Sequence, residues 1–317
     1  MTRLSAGAAP GSSAGLHDTV AVDPSPLDVL GVAPARPAGR RRLPTVSIVI
    51  ATALLCSIVA LVVLAPLLPG YDPVTQHLDA SQLRPLSDGH LLGTDPLGRD
   101  ELSRVALAGR VSILIALAVV ALNLVIGVVV GLTAGYFGGR ADYLLMGLAD
   151  LQLTIPVLLL LIAVIAAVGP STTTLVVVLG VTFWVRYARV TRVIAASLRE
   201  REFVLAAVTQ GATDRWIMVK HLLPTVIPQL IVMGTFDIGT IVIAEASLSY
   251  LGLGVQAPTP SWGGMIAEGQ RYLQTNPALV LVPAAAVFAL LGGLAILGQR
   301  FSATYGRGGA DLVTGRR

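Results

Sequence analysis

Few residues in this sequence are placed to make or break covalent bonds. A phosphate-binding loop needs a Gly-Lys-Ser/Thr turn to cradle phosphate oxygens. The only lysine, Lys220, stands instead between Val219 and His221. The four histidines, His17, His77, His90 and His221, do not cluster with Cys or Asp/Glu at a metal-ligand spacing, so no metal site is expected. None has a nucleophile setting such as Gly-x-Ser-x-Gly beside it, so no catalytic residue is expected either. The single cysteine, Cys56, lies in an apolar run and excludes a disulfide framework within the chain. Three carboxylates are unusual for their position: Asp150, Asp237 and Glu245 all fall inside apolar stretches. Charge is costly at the centre of a bilayer, so these groups should face the protein interior or a water-filled path.

The stretches that hold them define the class. Hydrophobic residues make up 54% of the 317 residues and charged residues 13%, against about 25% charge in a soluble domain. About 20 apolar residues cross about 30 Å of hydrocarbon. Six such spans are expected: Thr45 to Leu68, Val111 to Ala134, Tyr143 to Val168, Thr172 to Val190, Thr225 to Tyr250 and Ala278 to Gly298. Asn123 reads as a helix-packing hydrogen bond, and Gly127 with Gly131 as a GxxxG of close approach. Residues 1–43, rich in Ala, Gly, Pro and Ser, read as a disordered cytoplasmic tail. A cleaved signal peptide is not expected, because the first apolar run starts late and is long. The transmembrane domain occupies 44–298, with external loops at 69–110 and 251–277, a cytoplasmic loop at 191–224 and a cytoplasmic tail at 299–317. With both termini inside, seventeen Lys and Arg fall on the inner side and five outside, as the positive-inside rule requires. That segregation also argues against nucleic acid as the reason for a pI near 9.6.

Residues 197–224, SLREREFVLAAVTQGATDRWIMVKHLLP, read as two short helices with a break. Ser197 and Glu200 fit a capping box. Gly211 suits the left-handed position past a helix end. Thr213 caps the second helix, with Asp214 in its first turn, and Pro224 stops it. Such a hairpin either docks in a groove of a cytoplasmic partner or merely joins two spans. The spacing of Ala206-Ala207, Gly211, His221 and Leu223-Pro224 resembles the Glu-Ala-Ala coupling loop of ABC-importer permeases. Two positions depart from the broad pattern, both in ways familiar in the peptide branch: His221 replaces an aliphatic residue, and Leu205 replaces the usual Glu, which there tends to sit three residues earlier, as Glu202 does here.

Two further strings narrow the resemblance. His90 to Arg104, HLLGTDPLGRDELSR, combines tight-turn residues with a helix start at Asp100-Glu101. It looks like the signature of dipeptide/oligopeptide/nickel permeases. Glu245 to Gly264, EASLSYLGLGVQAPTPSWGG, resembles the C-type subunit of the pair. After it, Ser261 caps an amphipathic helix carrying Trp262. That helix either lies in the outer interface with Trp262 as its anchor or helps to receive a binding protein.

The resemblance implies an all-α membrane protein of the type I ABC-importer permease fold. It implies no enzyme activity and no cofactor in this chain, with ATP and magnesium bound by partner subunits. The implied partners are a homologous permease, two ATP-binding subunits or one fused ATPase, a substrate-binding (lipo)protein and the lipid membrane of the cell. The implied docking residues are Glu202, Ala206, Ala207, Gly211, Asp214, His221 and Pro224. External contacts fall to Asp95, Arg99, Asp100 and Trp262. Asp150, Asp237 and Glu245 are candidates for the translocation path, where Asp237 and Glu245 would meet the cationic end of a peptide; the alternative is that they bond to neighbouring helices or the partner. Di- or oligopeptides are the expected cargo, with nickel or another small substrate as the alternative. A secondary transporter, for which no inverted repeat is visible, or a membrane-embedded enzyme are the rival classes.

Overall fold

The computed structural model describes residues 45–87 and 89–314, with side chains between 46 and 299. The N-terminal tail and the basic residues from Arg300 onward lie outside the described side chains. Among the described residues nine α-helices follow in order: α1 (Thr45–Leu64), α2 (Glu101–Phe137), α3 (Gly139–Leu153), α4 (Val157–Val168), α5 (Thr172–Arg199), α6 (Glu202–Thr209), α7 (Asp214–Tyr250), α8 (Trp262–Gly269) and α9 (Ala278–Thr314). Among the described residues there are no strands, only isolated bridges at Ser87–His90 and Thr94–Asp100. Among the described residues five helices are long and apolar enough to cross a membrane, and a sixth span is reached if the bent pair α3 and α4 is counted as one.

Several boundaries differ from the sequence expectation: α9 runs on to Thr314, past the expected end at Gly298, and four others have a local reason. The third span is not one helix: α3 and α4 meet at 86°. Pro156 lacks an amide proton and steers Ile155 out of helical geometry. The second span begins ten residues before Val111, because Asp100 caps α2 through a bond from Ser103 N to Oδ1 at 2.7 Å. The capping box at Ser197 does not form. Ser197 lies inside α5, which runs on to Arg199, and the hairpin starts at Glu202. Pro224 does not stop the helix either. Residues Met218–Leu222 widen into a π turn, with Leu223 N donating to Met218 O. That turn lets Pro224 sit in a continuous 37-residue helix, where a plain α turn would drive its ring into a preceding carbonyl.

Glycines fix the central contact. Gly127, Gly131 and Gly135 repeat every four residues along one stripe of α2. A Cβ on Gly131 would lie 2.5 Å from Ala188 O, and one on Gly135 would lie 2.5 Å from Arg192 O. Gly127 meets Trp184 O and Ala188 N at 3.0 Å in the same way. The rising numbers on both helices show that α2 and α5 run parallel with their backbones nearly touching. α3 runs antiparallel beside α5, because Asp142 pairs with Arg192 and Asp150 with Arg189. α7 returns from the hairpin alongside both, and α9 packs on α1, α7 and α8. Among the described residues the core falls into two large clusters and a small third one around Ala149, Trp184 and Ala188. One large cluster, around Val119, Leu179, Ile241 and Trp262, serves the loop end of the bundle. The other, around Leu132, Leu198, Ile217 and Leu222, serves the hairpin end.

Gly131→Leu is expected to remove folded protein from the membrane, since overpacking against backbone costs at least about 1–3 kcal/mol. Gly147→Leu, where nothing lies within 4 Å of the added Cβ, should leave the melting temperature in detergent nearly unchanged. Equal melting temperatures for the two variants would refute the seam.

Candidate functional site

The hairpin at one end is a rigid turn. Gly211 adopts φ +82°. Its N donates to Val208 O at 2.9 Å, and Ala212 N donates to Ala207 O at 3.0 Å. These two bonds make a Schellman end for α6, a geometry that needs the left-handed residue. Thr213 then caps α7, its Oγ1 accepting from Trp216 N. Asp214 accepts from the Tyr136 hydroxyl at 2.8 Å, which ties the turn to the end of α2. The His221 ring meets Trp216 edge-on, with centroids 4.9 Å apart, and lies 5.7 Å from Phe203, so it joins the two arms.

Each arm also has an inner anchor. Val204 of α6 and Ile217 and Leu222 of α7 are buried with Leu198, Val226 and Leu230. Outward, Phe203, Leu205, Val208, Trp216 and Val219 stand exposed. Beside them is a shallow hollow of about 370 Å³ walled by Ala207, Gln210, Gly211, Ala212, Thr213 and Trp216. Glu202, Ala206, Ala207, Gly211, Asp214, His221 and Pro224 are therefore brought to one end of the bundle. Ala207 and His221 are half-buried and the others exposed.

At the opposite end, the residues expected to meet a partner are used inside the chain. Asp95, Arg99 and Trp262 are only 3%, 8% and 0% exposed. Asp95 Oδ2 takes Arg99 Nε at 2.6 Å and Arg104 Nη1 at 3.0 Å, while Oδ1 accepts from the backbone N of Leu97 and Arg99. Arg104 reaches on to Glu268 of α8 at 2.7 Å. Asp100 is half-buried and shares its second oxygen with His90 Nδ1 at 2.8 Å. Trp262 is not an interfacial anchor: its indole lies against Gly109 and donates to Val105 O at 3.1 Å.

The three carboxylates within the spans have partners too. Glu245 is sealed, accepting from Ser112 Oγ at 2.8 Å and Ser249 Oγ at 2.6 Å. Ser249 in turn accepts from Val255 N and folds the Leu-Gly-Leu-Gly turn over itself. Glu245 is thus a buried link between α2 and α7. Asp237 is bound by Arg186 at 2.7 Å and Asp150 by Arg189 at 2.5 Å.

Sequence reasoning missed these arginines, counting Arg186, Arg189 and Arg192 only as inner-side charge. The signal was there: three arginines spaced by three on α5, and acids eight apart on α3.

Residues 127–303 match the family described as "binding-protein-dependent transport system inner membrane component". The chain is 39% identical over 229 residues to the nickel transport system permease protein NikC of Escherichia coli K12, covering 72% of this chain and 82% of that protein. It is 35% identical over 242 residues to the oligopeptide transport system permease protein OppC of Bacillus subtilis 168, covering 76% and 79%. It is 32% identical over 260 residues to the dipeptide transport system permease protein DppC of Alkalihalophilus pseudofirmus, covering 82% and 84%.

Arg104→Gln strands buried Asp95 beside a single arginine. Breaking a buried pair costs about 3–5 kcal/mol, and the remaining Arg99 should hold the loss near the lower figure. Glu268→Gln alters a half-exposed partner and should cost under about 1 kcal/mol. Thermal unfolding in lipid discs separates them; similar small shifts would contradict the clamp.

Proposed function

The chain belongs to the binding-protein-dependent inner membrane component family, as an ABC-importer permease of the peptide/nickel group, and on that premise we propose that it pairs with a homologous permease to import di- or oligopeptides. ATP is hydrolysed by separate subunits docked on the hairpin, and an external binding protein delivers the cargo. Both termini and the hairpin face the cytoplasm, a reading supported by the bias of basic residues: with Arg186, Arg189 and Arg192, which pair within the bundle, set aside, fourteen Lys and Arg fall on that side and five on the other.

The observation that carries the proposal is the hairpin itself. It offers apolar side chains to a partner while Val204, Ile217 and Leu222 anchor it in the bundle. A push on the hairpin therefore moves α5 and α7 rather than bending a loop. Exposed Phe203 and Trp216 are the residue types that anchor protein interfaces. Peptide is favoured by the oligopeptide and dipeptide permeases among the relatives. Nickel is the second reading, on the 39% identity to a nickel permease. Cargo choice is expected to rest mainly with the binding protein.

Reconstitution with the paired permease, ATPases and binding protein should give ATP hydrolysis stimulated by loaded binding protein. Gly211→Val forces a β-branched residue to positive φ, a strain of about 1–3 kcal/mol, and should cut stimulation about tenfold or more. Gly211→Asn, which tolerates that region, should keep most of it. Peptide and nickel uptake, measured side by side, decides the cargo. Absence of stimulated hydrolysis with either would overturn the importer reading.

A further inference from the structure

Arg186 is an exposed positive charge deep in this chain. Asp237 is 6% exposed and held by Arg186, whose own side chain is 58% exposed. The level of the pair is fixed by its neighbour: Tyr187 packs on Gly127, which lies in the apolar run Val111 to Ala134 of α2, free of any charge. A half-exposed guanidinium at that depth cannot face hydrocarbon. It must face water or another protein group.

Nη1 of Arg186 is engaged by Asp237 Oδ1. Its other donors find no partner among the described residues, and they keep the planar fork that matches a carboxylate in two parallel bonds. Asp237 fixes the guanidinium in place, yet is too deeply buried to meet a cargo. Farther toward the hairpin, Arg192 holds the less exposed Asp142 in the same sense, whereas Arg189 pairs with Asp150, which is itself 64% exposed.

We propose that Arg186, positioned by Asp237, is a cationic station in the translocation path that receives the carboxylate of the cargo. This reverses the sign expected from the sequence, in which Asp237 would have met a cationic group. It rests on the importer reading, and it deepens that reading by naming what the path itself recognises: an anionic or zwitterionic solute.

The test uses the full complex with Cys56→Ser, which removes the chain's one native thiol, and adds Arg186→Cys. A water-soluble methanethiosulfonate should label position 186. Peptide uptake should fall about tenfold on loss of a charge-assisted bond. An aminoethyl reagent should restore most of it and a sulfonatoethyl reagent none, with the partner permease still copurifying. If Arg186→Cys does not accumulate, Arg186→Cys with Asp237→Asn, which strands no buried carboxylate, takes its place. An unlabelled thiol, equal effects of the two reagents, or loss of the partner permease (a carboxylate supplied by that subunit) would each overturn the inference alone. A wild-type complex that carries no peptide would overturn the peptide reading together with it.

Discussion

The near-contact of α2 and α5 along Gly127, Gly131 and Gly135 is the constraint on which the other arrangements rest. In lipid no hydrophobic force drives helices together, so the gain comes from close packing, and close packing here needs three positions without a side chain. Once α5 lies against α2, its arginines have fixed positions. Arg189 and Arg192 meet Asp150 and Asp142 of α3, and Arg186 meets Asp237 of α7. Charges that would be prohibitive alone become links between helices. The glycine stripe thus determines which helices the arginines can reach.

The two ends of the bundle use different physics. At the loop end, polar groups are satisfied internally: Asp95 between two arginines, Glu245 between two serines, and the Trp262 indole on a backbone carbonyl. At that end most of the motif side chains are engaged within the chain. At the hairpin end, apolar and aromatic groups remain exposed on a turn in which Gly211, Thr213 and Asp214 are each tied by a specific bond. A surface that is sticky outside and anchored inside can receive a partner and pass its movement on.

Much of this was legible in the sequence, and the limits were physical. Hydropathy gave the spans because backbone burial in lipid demands long apolar helices. Gly211 and Thr213 were readable because left-handed turns and helix caps accept few residue types. Pro156 and Pro224 were harder. One bends a span by 86° while the other is absorbed by a π turn, and the surrounding packing decides between those outcomes. The motif residues Asp95, Arg99 and Trp262 read as surface because loops usually are; their burial depends on Arg104 and Glu268, which are 164 positions apart. Arg186 looked like inner-side charge because its partner lies 51 residues away.

The central claim is that the hairpin and the bundle move as one body. Spin labels at Arg215 of the hairpin and Val177 near the start of α5, both exposed, would be placed in a Cys56→Ser chain within the assembled transporter. Their separation would be measured by pulsed electron resonance with and without ATP. A distance that holds constant through the cycle, while the distance between the two permeases changes, is the result expected of a rigid lever. A hairpin that shifts by several ångströms against α5 on nucleotide binding would contradict it.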